Sequence, residues 1–340
     1  MDVEITMETI TPVWTGGAFQ QCESLKPQSI LGSLRFWLEV LCYAKGKLDK
    51  DPRREKLDQE KFLEQVNQFL EKEELSLVDA KRRALEELGI SIPSQVFGCN
   101  GWEGFVKIKK LKEEPEKFQD KEESEELLDE NNKSLSKEKL GSPFWGKCKI
   151  FLEIADEEVW KNIICPLLNF IEKYGFIGGK NRLGYGRVKF TFKLNNNPSE
   201  CNSSKYDGFK LFNDKDTFDN IIKEKDEPVD LISNDLINER KIGLYKLQEN
   251  IEKENILDII QELLIKKKRL RAECKKKCNL DEIHYIFGHK NLKVKDKYSK
   301  YKDLQGPNAT KIIPWINRVE QNQYEYGFIS LVLLQDFPKR

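Results

Sequence analysis

The chain has 340 residues, with 58 Lys and Arg against 58 Asp and Glu, so its formal net charge is zero. Length is a soft indication of two domains; 39% hydrophobic and 34% charged residues allow one or two modest cores under a highly charged surface. Net charge therefore gives no argument for nucleic acid, which must rest on local patches, and no apolar run approaches the ~20 residues of a membrane helix, so no membrane partner is expected.

The start, Met1-Asp2-Val3-Glu4, lacks a signal-peptide pattern and points to a cytoplasmic protein. The eight cysteines are expected to be reduced, mostly buried thiols. Asp2 to Ile10 alternates, with Val3, Ile5 and Met7 on one face, and reads as a strand. A loop, Thr11-Pro12-Val13-Trp14-Thr15-Gly16-Gly17, follows. Ser29 is placed as the N-cap of a helix running to about Lys45, whose apolar stripe is Ile30, Leu31, Leu34, Leu38 and Leu41. Residues 53–89 are charged with helical spacing and read as one or two added helices. Gly104 to Lys110 alternates again, with Phe105 and Ile108 too few to make it a firm strand. Residues 113–130 carry ten acidic side chains and little that packs, and are expected to be mobile. Lys147 to Ile154 reads as a strand and Glu157 to Tyr174 as a helix despite Pro166.

Four glycines and three cations then fall within ten residues, Gly178-Gly179-Lys180-Asn181-Arg182-Leu183-Gly184-Tyr185-Gly186-Arg187. An alternating strand begins after them. Glycines let successive N–H groups turn toward an anion, and Lys180, Arg182 and Arg187 carry charge suited to phosphate. A tight basic turn is the competing reading. The loop is no Walker motif, because Asn181 follows Gly179-Lys180, and it leaves a helix for a strand, opposite to a dinucleotide loop. Beyond residue 205 the pattern is less clear: 230–278 reads as mainly helical and 312–334 contains strand-like stretches.

The order β-α-β-β-α-β is the ferredoxin-like pattern. In such a sheet the end of strand one, the start of helix one, the acidic insertion and the glycine-rich loop meet at one edge. Trp14, Ser29, Ser33, Arg35 and the loop would converge there. Arg35 has two readings: a phosphate contact beside the helix N-terminus, which we favour, or an ion pair with Glu39 at i+4. Trp14 and Trp37 suit base stacking or, for Trp37 above all, the core. Phe36 points off the stripe. The cations Lys266 to Arg269, Arg271 and Lys275 to Lys277 exceed what helix capping needs; a solvated face and a phosphate contact both fit them. Cys274, Cys278, His284 and His289 have the wrong spacing for a zinc finger, so no metal or other cofactor is expected. No pair of groups stands out as catalytic, so no enzyme activity is expected.

Four motifs in order, Thr11 to Gly17, Ser29-Ile30-Leu31-Gly32-Ser33-Leu34-Arg35-Phe36-Trp37, Phe97-Gly98 and Gly178 to Gly186, resemble the RAMP superfamily of CRISPR proteins. More narrowly, they resemble the first RAMP subunit of the Cmr (type III-B) effector complex. The match covers roughly residues 5–190; Thr310 to Ile316 resembles the second domain more weakly. The resemblance implies an α+β fold of two ferredoxin-like, RRM-like domains, 1–200 and 201–340. The first would carry helical insertions, the acidic insertion 111–146 and the glycine-rich loop. It implies a non-catalytic subunit in antiviral defence that binds guide and target RNA near the 3′ end of the guide. Its partners would be the other RAMP subunits of the complex. The RNA-contacting residues would be Trp14, Ser29, Ser33, Arg35, Trp37, Gly178, Gly179, Lys180, Asn181, Arg182, Gly184, Gly186 and Arg187. A RAMP endoribonuclease and a protein-interaction module are the alternatives.

Overall fold

The computed structural model describes residues 1–16, 24–73, 75–115, 143–194, 197–198, 220–252, 255–276, 278, 280–288, 310–320 and 322–337. The elements are β1 (Asp2–Thr9), α1 (Pro27–Ala44), α2 (Gln59–Glu73), α3 (Leu77–Glu87), α4 (Ile92–Phe97), β2 (Val106–Pro115), β3 (Gly146–Ile154), α5 (Glu157–Val159), α6 (Cys165–Tyr174), β4 (Val188–Leu194) and β5 (Asn197–Pro198). They continue with β6 (Ile222–Glu224), α7 (Asn234–Asn238), β7 (Ile242–Glu252), α8 (Ile256–Cys274), α9 (Leu280–Phe287), β8 (Ile312–Glu320) and β9 (Gln323–Ser330). The fold is α+β, with two sheets and helices packed against them.

The first sheet has the order β2-β3-β1-β4-β5, all antiparallel. Its inner face is the alternate set of each strand. Ile5 pairs with Ile150 and Phe192, and Met7 with Cys148 and Phe190. On the other face Glu4, Glu8 and Glu114 meet Lys147 and Lys149 in a lattice of cross-strand ion pairs. β2 is a full strand, reaching Pro115, where the sequence offered a weak alternation ending at Lys110. It lies at the sheet's edge, so its outward positions are charged and solvated; the ladder to β3 carries it. Glu113 and Glu114 belong to that strand, and the rest of the acidic stretch lies outside the described residues.

Pro166 lacks an N–H and crowds the carbonyl one turn earlier. The helix absorbs it through a wide turn at Trp160–Ile164, where the Cys165 N–H donates to the Trp160 carbonyl. Trp37 is fully buried among Phe36, Phe170 and Phe176, and its Nε1–H donates to the Phe176 carbonyl at 3.0 Å. Phe36 stacks on Phe176. Cys42 and Cys148 are free thiols whose pKa burial pushes up, but Cys165 is disulfide-bonded, against the expectation of reduced thiols.

The second sheet has the order β6-β7-β9-β8. β7 falls in a stretch expected to be helical. Its polar half, Lys246 to Glu252, has helix-forming residues, but pairing with β9 overrides that preference. Short β6 runs parallel to β7, unlike the antiparallel outer strands of the first sheet.

Both sheets contribute to one hydrophobic core, in which Ile242, Leu244, Trp315 and Ile329 lie with the core residues of the first half. Polar bonds cross as well: Trp315 Nε1–H to the Lys173 carbonyl at 2.8 Å, and Arg318 to Glu8. The most extensive crossing is Arg187. Its buried guanidinium donates to the carbonyls of Ile171, Glu172, Lys173 and Gly175, at and just past the end of α6, and to Ile316 of β8. Burial lowers its pKa to about 9, which still leaves it charged at neutral pH. Arg187 is thus a helix-end cap and a tie between the sheets, and its donors are spent on main chain. The assignment of Arg187 to RNA is corrected on that ground.

Arg187→Met should lower the unfolding free energy by about 3–5 kcal/mol in urea titration, since it strands buried acceptors. Arg187→Lys should recover little of this, because an ammonium lacks the planar fork. An unchanged midpoint for the Met variant would refute the role.

Candidate nucleic-acid interface

The end of β1 and the glycine-rich loop are stitched together main chain to main chain. Trp14 forms an antiparallel bridge with Gly179, and the Gly179 N–H donates to the Trp14 carbonyl at 2.7 Å. The Gly186 N–H donates to Pro12, and the Ile10 and Thr11 N–H groups share the Arg187 carbonyl. The Gly178 N–H donates to Ser33 Oγ at 2.9 Å, which ties the loop to α1. Two glycines are required by this geometry. Gly178 has φ 82° and a Cβ there would lie 2.5 Å from the Trp14 carbonyl oxygen; Gly186 has φ 94° and its Cβ would lie 2.3 Å from that of Ile177.

The stitching and the turn consume most of the donors expected for an anion. The N–H groups of Gly178, Gly179, Leu183, Gly184, Gly186 and Arg187 all bond within the protein. These glycines shape the loop, and what it offers outward is side chains. Lys180 adopts a left-handed conformation, φ 57°, and sets its ammonium 4.7 Å over the Trp14 ring. Asn181 opens a short 3-10 turn, Asn181–Leu183, with its Oδ1 buried and unbonded; Trp14 Nε1 is likewise buried and unbonded. Arg182, in the middle of that turn, is exposed, and among the described residues no carboxylate pairs with it.

Sequence reasoning brought the right segments to one edge but misassigned several side chains. α1 begins at Pro27 with Lys26 as its N-cap residue, so Ser29 sits inside the first turn, its carbonyl accepting from Ser33 Oγ. The N-cap assignment fails because Pro27 already fixes a helical φ at the first position. Arg35 does not face an anion. It bonds Glu39 at 2.9 Å, the Gly98 and Pro52 carbonyls and Ser94 Oγ. Glu39 is buried and also paired with Arg53 at 3.0 Å. The motif Phe97-Gly98 thus meets the helix-one motif through Arg35, in a structural knot. Trp37 belongs to the core, with no ring face open to a base. Trp14, Lys180, Asn181 and Arg182 remain at the surface edge.

Lys267 of α8 stands beside the loop and donates to the Arg182 carbonyl at 3.4 Å. The sequence shows a basic run there but gives no sign of its neighbour. Among the described residues, no cluster of His, Cys, Asp and Glu could hold a metal ion, and His289 lies outside them. Among the same residues no helix is long and apolar enough to cross a membrane.

Arg35→Ala should cost about 2–3 kcal/mol of stability, since it weakens the pairing of a buried carboxylate. Arg182→Ala should change stability by less than about 0.5 kcal/mol. Thermal unfolding of the two variants side by side checks both; equal losses would contradict the division into a structural and a surface arginine.

A family model for the RAMP superfamily matches residues 6–189. Among solved structures the chain is similar to Cmr1 from Pyrococcus furiosus in its apo form, at 16% identity and TM-score 0.45, over 97% of this chain and 87% of that one. It is also similar to a chain of a type IV-B CRISPR complex, at 15% identity and TM-score 0.34, over 59% of this chain and 93% of that one. No curated protein matches. Because the family model spans more than half of its length and ends just past the glycine-rich loop, the chain belongs to the RAMP superfamily.

Proposed function

We propose that the protein is a non-catalytic, RNA-binding subunit of a cytoplasmic CRISPR effector complex of the type III-B (Cmr) kind, seated near the 3′ end of the guide. The observation that carries this is the outward face of the glycine-rich loop. Six of the loop's amides are tied down, and the turn that results presents Arg182, which has no carboxylate partner among the described residues, and Lys180 stacked on Trp14. Such a surface recognises a backbone by charge and shape and an unstacked base by its face. Sequence reading is left to guide–target pairing. The domain reading goes with this proposal: ferredoxin-like halves, 1–200 and 201–340. The antiparallel order β2-β3-β1-β4 supports it for the first half. The lattice of ion pairs on the open face of that sheet argues for contact at its edge rather than on its face.

In a salt series with labelled single-stranded RNA, Lys180→Ala and Arg182→Ala should each weaken binding and reduce the log–log salt slope by about 0.7. Arg35→Ala, assayed below its lowered melting point, should keep the wild-type slope. End-labelled RNA should stay intact throughout. Salt-independent binding would remove the proposal, and discrete cleavage would move the protein to the nuclease class.

A further inference from the structure

The glycine-rich loop does not end at the first half of the protein. Beyond Arg182 it rests on the second: a Cβ at Gly184 would lie 3.4 Å from Pro314 of β8 and 3.7 Å from Ile260 of α8. From Ile260, the positions Leu264, Lys267 and Arg271 follow at i+4, i+7 and i+11, along one stripe of α8. Ile260 is buried and Leu264 half-buried, so the stripe begins as packing surface. Where the loop's turn crosses it, the stripe becomes cationic, and Lys267 Nζ reaches the Arg182 carbonyl.

The geometry points to a phosphate seat shared by the two halves, formed by Arg182 of the loop with Lys267 and Arg271 of α8. Through it a polyanion bound at the loop continues onto α8. This rests on the RNA reading above and deepens it, by adding a second element to the same site.

The balance of charges supports the assignment. Among the described residues no carboxylate pairs with Arg182 or Lys267. On α8 itself, Glu262 is engaged by Lys266 at 3.1 Å and by the Tyr326 hydroxyl at 2.8 Å. Burial, then Arg182, then Arg271 pull the Lys267 pKa down to about 7. Arg182 and Arg271 thus raise the positive potential at the half-buried Lys267 ammonium, and a phosphate set against Arg182 and Lys267 relieves it.

The test uses the full chain, two probes and three variants. The probes are a labelled single-stranded RNA in a salt series and inorganic tripolyphosphate read as a rise in melting temperature. The variants are Lys267→Met, Lys267→Arg and Arg182→Gln, with Lys193→Gln on β4 as an off-site control. Lys267→Met should keep or raise the melting temperature of the free protein. It should also lose the tripolyphosphate shift and reduce the RNA salt slope by about 0.7. Arg182→Gln should do the same to both probes, and Lys267→Arg should behave as wild type. If Arg182→Gln lowers the RNA salt slope but Lys267→Met leaves it intact and keeps the tripolyphosphate shift, the seat is overturned and the RNA reading stands. If wild type ignores RNA but tripolyphosphate shifts wild type and not Lys267→Met, the seat stands and the RNA reading falls. If neither probe binds, both are overturned.

Discussion

One guanidinium group organises this molecule. Arg187 is buried, and its donors reach five main-chain carbonyls, four at the end of α6 and one on β8. A helix end leaves its last carbonyls without partners, and a buried cation needs acceptors all round. Each requirement answers the other. Arg187 is also where the glycine-rich loop becomes β4, and its own carbonyl receives the Ile10 and Thr11 N–H groups at the end of β1. The end of α6, the loop, the first strand and the second sheet are therefore fixed against one another at a single residue.

That constraint ties the loop down although it is rich in glycine. Its amides are tied to Pro12, Trp14, Ser33 and Thr11 Oγ1. A flexible glycine loop would lose conformational entropy when it closed on a ligand. Here that cost is met during folding, and the exposed side chains sit on a preformed turn. Pre-organisation of this kind favours recognition by position and charge.

The arginines divide by burial. Arg187 is fully buried and Arg35 largely so, and both spend their donors on protein acceptors, while Arg182 is exposed and has no carboxylate partner among the described residues. The same residue type serves as structural clamp and as surface charge. What separates the roles is how many acceptors surround the fork. Ser33 belongs with the clamps: its hydroxyl donates back to the Ser29 carbonyl and accepts from Gly178.

The sequence by itself determined β1, α1, β3 and β4, because their apolar periods are clean and one face of each is buried. It also determined that the loop after Trp14 and the glycine-rich loop lie at one edge, since that follows from the order of strands and helices. It showed β2 only as a weak alternation, because its charged residues suit an edge, and it hid β7, whose polar half reads as helix until β9 pairs with it. It offered Arg35, Arg182 and Arg187 alike as phosphate contacts and, of their acceptors, named only Glu39, one turn on from Arg35; a side chain's charge is written in sequence, but acceptors on distant elements are not. Those acceptors are carbonyls at Gly98, Gly175 and Ile316, brought in from other elements. The meeting of Arg182 with Lys267, 85 positions apart in the chain, was likewise decided only by the packing of α8 against the loop.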